Sequence, residues 1–254
     1  MRATTTGLRA LGALCALLLA TAACTGHDGP GPAGAAPAGT VPATGAGGAK
    51  GGDGPGGDAS VPLTAPELER AALATGDLPG FQVSAGQSAL APAGRPRADK
   101  AACQPLADAM GAEPDPRARH TVDRGLGSLD SLGLAVSASL SSYRETDAKA
   151  LIDGLEAAVA ACGAGFVATL DGRGATYRQV QAVPFNARGG DESVSWTAVA
   201  SDEVAVAPVH VVVVRSGATV ARFTAFDLAG RKPPRVPGEV VGEQLAKLAH
   251  RLAR

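Results

Sequence analysis

Aromatic side chains are scarce in this chain: five Phe, two Tyr and one Trp in 254 residues. Sugar and single-strand nucleic-acid surfaces are built from stacked rings, so the scarcity argues against both. Basic residues are not in excess either, at 23 against 24 acidic ones. A chain without a basic stripe has no electrostatic footprint for nucleic acid. The four His residues are scattered, without a spaced Glu, His or Cys partner. That spacing excludes an H-E-x-x-H helix and a zinc cluster. G-x-S-x-G and S-x-x-K are missing too, which removes the esterase elbow and the penicillin-binding-protein site. Gly125-Leu126-Gly127 begins like a dinucleotide loop but has no third Gly in place, and it reads as a turn. No catalytic residue, metal ligand or cofactor is assigned.

What is present starts at the N-terminus. Arg2 and Arg9 flank an apolar run from Leu11 to Ala20, followed by Thr21-Ala22-Ala23-Cys24. A charged start, a short apolar core and small residues before a cut make a signal peptide. The apolar run falls short of the about 20 residues that span a bilayer. The final tetrapeptide resembles a bacterial lipobox, with Thr21 where Leu is commonest. On this reading residues 1–23 are removed and Cys24 is acylated, which holds the chain to the cell membrane on its extracytoplasmic face. Acylation at such a site supplies the two or more chains that stable anchoring requires. Loss of Arg2 and Arg9 takes the 23 basic residues to 21 against 24 acidic ones, so attachment rests on the lipid and not on charge.

Residues 24–60 are then the lipidated Cys and a tether of Gly, Ala, Pro and Thr, with nothing large to bury. Such a composition does not offset the entropy of ordering. As flexible coil it would reach roughly 33 Å from the membrane. Abundant Ala and Gly, with Lys only at Lys50, Lys100, Lys149, Lys232 and Lys247, point to a high-GC, actinobacterial source.

Residues 61–254 are long enough to enclose a core. Thr64-Ala65-Pro66-Glu67 forms a capping box that starts a short helix running to about Leu73. Phe81-Gln82-Val83 begins a strand, and 87–96 reads as a loop. A second helix surrounds Leu106 to Met110, with Pro105 in its first turn, Cys103 before it and Gly111 after it. A strand is expected over 117–123 and a turn region over 125–133. Leu134, Val136, Ala138 and Leu140 alternate with Ser and Ala as in a half-buried strand. Thr146 is the expected N-cap of the next helix, which carries Leu151, Leu155, Ala158, Val159 and Cys162 on one face and ends at Gly163.

Strands are then expected over 166–170, 176–183, 193–200, 206–214 and 219–226. The β-branched run from Val209 to Val214 should be a central strand, and Ser216-Gly217 the turn of a hairpin. A last helix carries Val241, Leu245, Leu248 and Leu252 on one side. The class is α+β: a mostly antiparallel, twisted sheet flanked by helices. With Cys15 discarded and Cys24 acylated, Cys103 and Cys162 remain, and an even remainder outside the cytoplasm reads as one disulfide.

Candidate ligand contacts are few. Asp191 and Glu192 follow Gly189-Gly190 and mark either a ligand or cation site or a solvated turn. Arg178, Arg215 and Arg222 lie among strands and would line a cleft if the fold gathers them. His210, on the valine strand, and Trp196, on an apolar face, read as core residues.

Some motifs carry a resemblance. Leu63-Thr64 followed by Asp77-Leu78-Pro79-Gly80-Phe81, Cys103 with Pro105-Leu106, the run from Leu155 through Cys162 to Phe166, Gly190-Asp191-Glu192-Ser193, and Val213-Val214-Arg215-Ser216-Gly217 resemble, in order and spacing, the PknH-type extracellular sensor domain and related actinobacterial lipoproteins. The resemblance implies a disulfide-stabilised sheet with a cleft for an unknown ligand. Two cysteines are fewer than the kinase sensor carries, which implies that any second staple is missing. With neither a kinase nor a transmembrane segment, signalling would require an envelope protein partner. The reading that follows is a non-catalytic, membrane-anchored binding or sensor-like module for a small-molecule or cell-envelope ligand. A lipid or glycolipid carrier, which needs a large apolar cavity, and a scaffold of an envelope complex, which needs an exposed apolar patch, are the alternatives.

Overall fold

The computed structural model describes residues 61–86, 94–203, 205–230 and 233–252. The signal segment, Cys24, the tether and positions 87–93 of the expected loop lie outside them.

Helix α1 (Ala65–Ala71) begins at the capping box: the Glu67 carboxylate accepts from the Thr64 backbone N–H at 2.8 Å and from its hydroxyl at 2.6 Å. Strand β1 (Phe81–Ala85) follows, then the two-residue β2 (Arg97–Ala98). A 3₁₀ turn (Ala101–Cys103) leads into α2 (Gln104–Met110). Next come β3 (His120–Ser128), β4 (Leu134–Ser142) and α3 (Glu145–Ala161). Strands β5 (Phe166–Leu170), β6 (Arg173–Ala182), β7 (Glu192–Ser201), β8 (Val206–Ser216) and β9 (Thr219–Asp227) precede α4 (Gly238–Leu252). The nine strands form one sheet in the order β1-β3-β4-β9-β8-β7-β6-β5-β2, antiparallel throughout. The fold is α+β.

Each face of this sheet has its own core. Helices α1 and α4 cover one face, with Leu68, Leu73, Val212, Phe223 and Leu245 buried beneath them. Helices α2 and α3 cover the other, over Leu106, Ile152, Leu155, Trp196 and Val211. Strand β8 is the middle of the nine, and its valines feed both cores in turn: Val209, Val211 and Val213 to one, Val212 and Val214 to the other. A strand buried on both sides has no polar face to show, which is why this run is valine without alternation. Its hairpin to β9 turns on Gly217, whose φ of 57° places it in the left-handed region.

The Cys103–Cys162 disulfide joins the start of α2 to the residue that caps α3. On the opposite face a buried Gln244 locks α4 to the end of α1. Its amide donates to the Ala71 carbonyl at 2.7 Å and accepts from the Leu73 N–H at 3.1 Å.

Two sequence expectations are corrected. The N-cap of α3 is Arg144 and not Thr146, which lies inside the first turn. The helix starts earlier because the Arg144 carbonyl already accepts from the Ala148 N–H. Gly125, Leu126 and Gly127 are not a turn: β3 runs through them to Ser128. Pairing with β1 on one side and β4 on the other holds these glycines extended, and a side chain at Gly125 would meet Ser84 Oγ at 2.9 Å.

Candidate functional site

The face under α2 and α3 changes character across the sheet. Over β6, β7 and β8 it is apolar. Over β3, β4 and β9 the same face carries Thr121, Asp123, Ser139, Ser141 and Arg222, because odd positions of β4 point opposite to Val136, Ala138 and Leu140. Register lines them up: Asp123 pairs with Ser139 and Ser139 with Arg222, while Thr121 pairs with Ser141. Alternation on β4 predicts these serines toward solvent. Instead Ser139 and Ser141 are buried, roofed by α2 and α3.

A cavity of about 120 Å³ lies where the polar and apolar parts meet. Its floor is Thr121, Ser139, Ser141, Tyr143 and Arg222, and its wall is Leu151, Gly154 and Leu155 of α3 with Val213 and Val220 of the sheet. Asp115 and Arg117 stand at one side. Asp108 and Ala109, in the last turn of α2, stand at another.

Most of the floor is already bonded. Thr121 Oγ1 and Ser141 Oγ are 2.8 Å apart, and Ser139 donates to Asp123 Oδ1 at 2.5 Å. Arg117 grips Asp115 through Nε at 2.9 Å and Nη2 at 2.8 Å. Burial pulls the Asp115 carboxyl upward, but the Arg117 hydrogen bonds and charge outweigh it, and the group titrates below its usual range. Burial, aided by the Asp115 charge, pushes the Tyr143 phenol up to about 12, so it remains a neutral donor.

Arg222 differs from Arg117. Its Nη1 donates to the Ala109 and Asp108 carbonyls at 2.9 and 3.4 Å, and its Nη2 donates to Ser139 Oγ at 3.2 Å. No ion pair joins it to a carboxylate among the described residues. Burial lowers its pKa, although a guanidinium remains charged in any protein setting.

The other expected contacts sit elsewhere. Arg215 and Asp191 meet, at 3.0 Å, together with Glu192 at 2.7 Å from Arg215 Nε. Asp191 also accepts from the Gly217 N–H at 2.7 Å, so the cluster binds the β7 entry to the β8–β9 turn. Its charges are spent on one another. Arg178 lies on β6 beside the bulge at Gln179 and bonds Ser201 Oγ at 3.4 Å. Only Arg222 of the four lines the cavity. Asp115, Arg117, Ser139, Ser141 and Tyr143 were not legible as site residues; the one sequence signal was serine at alternate positions of β4.

A serine beside a histidine invites a nucleophilic reading, and Ser195 Oγ lies 2.9 Å from His210 Nε2. The geometry denies it. Nδ1 of His210 accepts from the Val236 N–H at 2.8 Å, so a neutral ring carries its proton on Nε2 and donates to the serine. A ring protonated there cannot take the serine proton. Among the described residues no three His, Cys, Asp or Glu side chains converge as metal ligands, and no helix is long and apolar enough to cross a membrane.

Gly154 is the residue of the wall that costs stability. A Gly inside a helix is worth about 1 kcal/mol less than Ala, and a Cβ at this position would meet no atom within 4 Å. Gly154→Ala should therefore raise stability by about 0.5–1 kcal/mol in urea unfolding. A loss of stability would show that the space beside α3 is not open.

No family model and no curated protein matches the chain. Among solved structures it is similar to the extracellular domain of PknH from Mycobacterium tuberculosis, at 11% identity and a TM-score of 0.49, over 76% of this chain and 98% of that one. It is also similar to an uncharacterized protein from Mycobacterium smegmatis, the Rv0999 ortholog, at 14% identity and a TM-score of 0.38, over 77% of this chain and 97% of that one. Neither match assigns the chain to a family.

Proposed function

We propose that this protein is a non-catalytic, sensor-like binding module, held at the extracytoplasmic face of the cell membrane by acylated Cys24, which takes up a small molecule between α2, α3 and the sheet. The observation that carries the reading is the cavity itself: partly open, apolar on one wall, polar on its floor, and faced by a cation without a carboxylate ion pair among the described residues. The leader ending at Cys24 and the buried disulfide support a setting outside the cytoplasm. The His210–Ser195 tautomer supports binding over hydrolysis.

A lipid carrier would need room for acyl chains, and about 120 Å³ over a floor of hydroxyls does not supply it. The scaffold reading has one observation in its favour. Leu129, Leu132 and Leu228 are more than 60% exposed, with Leu228 N–H bonded to the Gly133 carbonyl so that both loops share one end of the sheet.

The test is purification of the full chain from membranes, followed by mass spectrometry of its N-terminal peptide and of any small molecule released on denaturation. The expected N-terminus is an acylated Cys24, and the small molecule should be missing from Gly154→Leu, which fills the cavity. An unmodified N-terminus beginning elsewhere removes the anchor. Equal recovery of the compound from Gly154→Leu removes the cavity as its site.

A further inference from the structure

The cavity described above also specifies what kind of molecule it takes. A guanidinium has five N–H donors. Arg222 uses three, two from Nη1 and one from Nη2, which leaves Nε–H and a second Nη2–H unspent. Among the described residues only Arg95 Nε and Ser142 Oγ are sealed from solvent without a hydrogen-bond partner. Arg222 Nε is not among them, so it is not sealed, and the side chain that carries it lines the cavity. The unspent donors sit on a half-buried cation whose bonded neighbours are two carbonyls and a hydroxyl. Asp115 does not pair with it; one edge of Arg117 holds both of its oxygens. Asp123 acts on it through charge but bonds Ser139 and not the guanidinium.

Beside this floor Val213 and Val220 of the sheet, and above it Leu151 and Leu155 of α3, make a hydrocarbon wall, with Gly154 leaving space among them. An inorganic anion would leave that wall facing water, and a neutral apolar molecule would leave the arginine donors unpaired. Both faces are satisfied by one molecule with a planar anionic end and a short apolar body. The volume sets its size. About 120 Å³ is of the same order as the ~150 Å³ cavity that accepts benzene, so a short branched carboxylate, with no more heavy atoms than benzene, fits better than a ring that also carries a carboxylate.

We propose that the cavity binds small branched monocarboxylates, with the carboxylate on the free Nε–H and Nη2–H of Arg222 and the hydrocarbon against α3. This rests on the reading of the cavity as a binding site. Charge-assisted bonds to a planar carboxylate are the strong ones for a guanidinium, and the low-dielectric surroundings strengthen them.

The test is ligand-observed NMR on the full-length chain in detergent, with isobutyrate as probe and isobutyramide, which has the same shape without the charge, as control. Isobutyrate should bind wild type in the millimolar range or tighter, and isobutyramide about 10- to 100-fold more weakly. Arg222→Gln should weaken isobutyrate by a similar factor and leave isobutyramide unchanged. Arg222→Lys retains the charge and loses the fork, so its loss should be smaller. Gly154→Leu should abolish binding of both. If both probes bind equally well, Arg222→Gln has no effect and Gly154→Leu blocks them, the cavity remains a binding site and the carboxylate assignment is overturned. Inorganic phosphate displacing isobutyrate at equal affinity would overturn it as well. If neither probe binds wild type, the assignment and the cavity reading fall together. The wild-type comparison of the two probes stands even if an Arg222 variant does not fold.

Discussion

Breaking the Cys103–Cys162 bond is expected to lower the stability of the domain by about 4 kcal/mol. The bond spans 59 residues, and closing a loop of that length removes much of the freedom of the unfolded chain. The segment it closes contains α2, β3, β4 and α3, so cutting it releases the roof of the cavity together with its floor. Both cysteines are 1% exposed, and their replacement also forfeits some burial. Urea unfolding of the protein with and without reductant, and of Cys103→Ala/Cys162→Ala, reads the effect directly. Coincident midpoints for the oxidised and reduced forms would show that the cross-link does not stabilise the fold. Because the bond ties α2 to α3, its loss should also weaken any ligand held between those helices and the sheet.

Acidification from pH 7 to pH 4 should cost the domain about 3 kcal/mol through His210 alone. The ring is 2% exposed, and burial, with a contribution from the Arg235 charge, lowers its pKa from 6.5 to about 4. Its folded pKa thus lies below the unfolded one, and the unfolded chain binds the proton first. The stabilisation is complete above about pH 6.5 and is lost as the pH falls toward 4. Proton uptake on Nδ1 would also abolish acceptance from the Val236 N–H, which positions the segment leading into α4. Unfolding free energies measured between pH 7 and 4 should show this slope in wild type and not in His210→Asn. Paired carboxylates such as Asp115 and Glu192 titrate below their usual range, and their losses come at lower pH. Equal slopes in wild type and variant would remove His210 as the cause.

Much of the fold was legible from local pattern. The capping box at Thr64, the apolar face of α3 and the five strands after Phe166 all follow from residues near one another in the chain. The extent of β3 was not. Gly125 and Gly127 weaken a strand when read alone, and only their position between β1 and β4 keeps them extended. Ser139 and Ser141 show the same limit on the next strand. Alternation separates the two sides of a strand, but it does not tell whether a second helical layer will cover the polar side.

The candidate site shows that limit most clearly. Arg178, Asp191, Arg215 and Arg222 were singled out for charge among strands, and nothing local distinguishes them. Strand register decides: it places Arg215 against Glu192, where acidic neighbours pair with it, and Arg222 against Ser139, where no carboxylate among the described residues does. By itself the sequence determined the α+β class and the pairing of its last two cysteines, because each depends on composition, spacing or elimination. Only the tertiary structure decided which arginine keeps unspent donors, and that a stretch of hydroxyls roofed by α2 and α3 becomes a cavity. Both depend on residues up to 114 positions apart meeting in space, and no local pattern encodes which of them will.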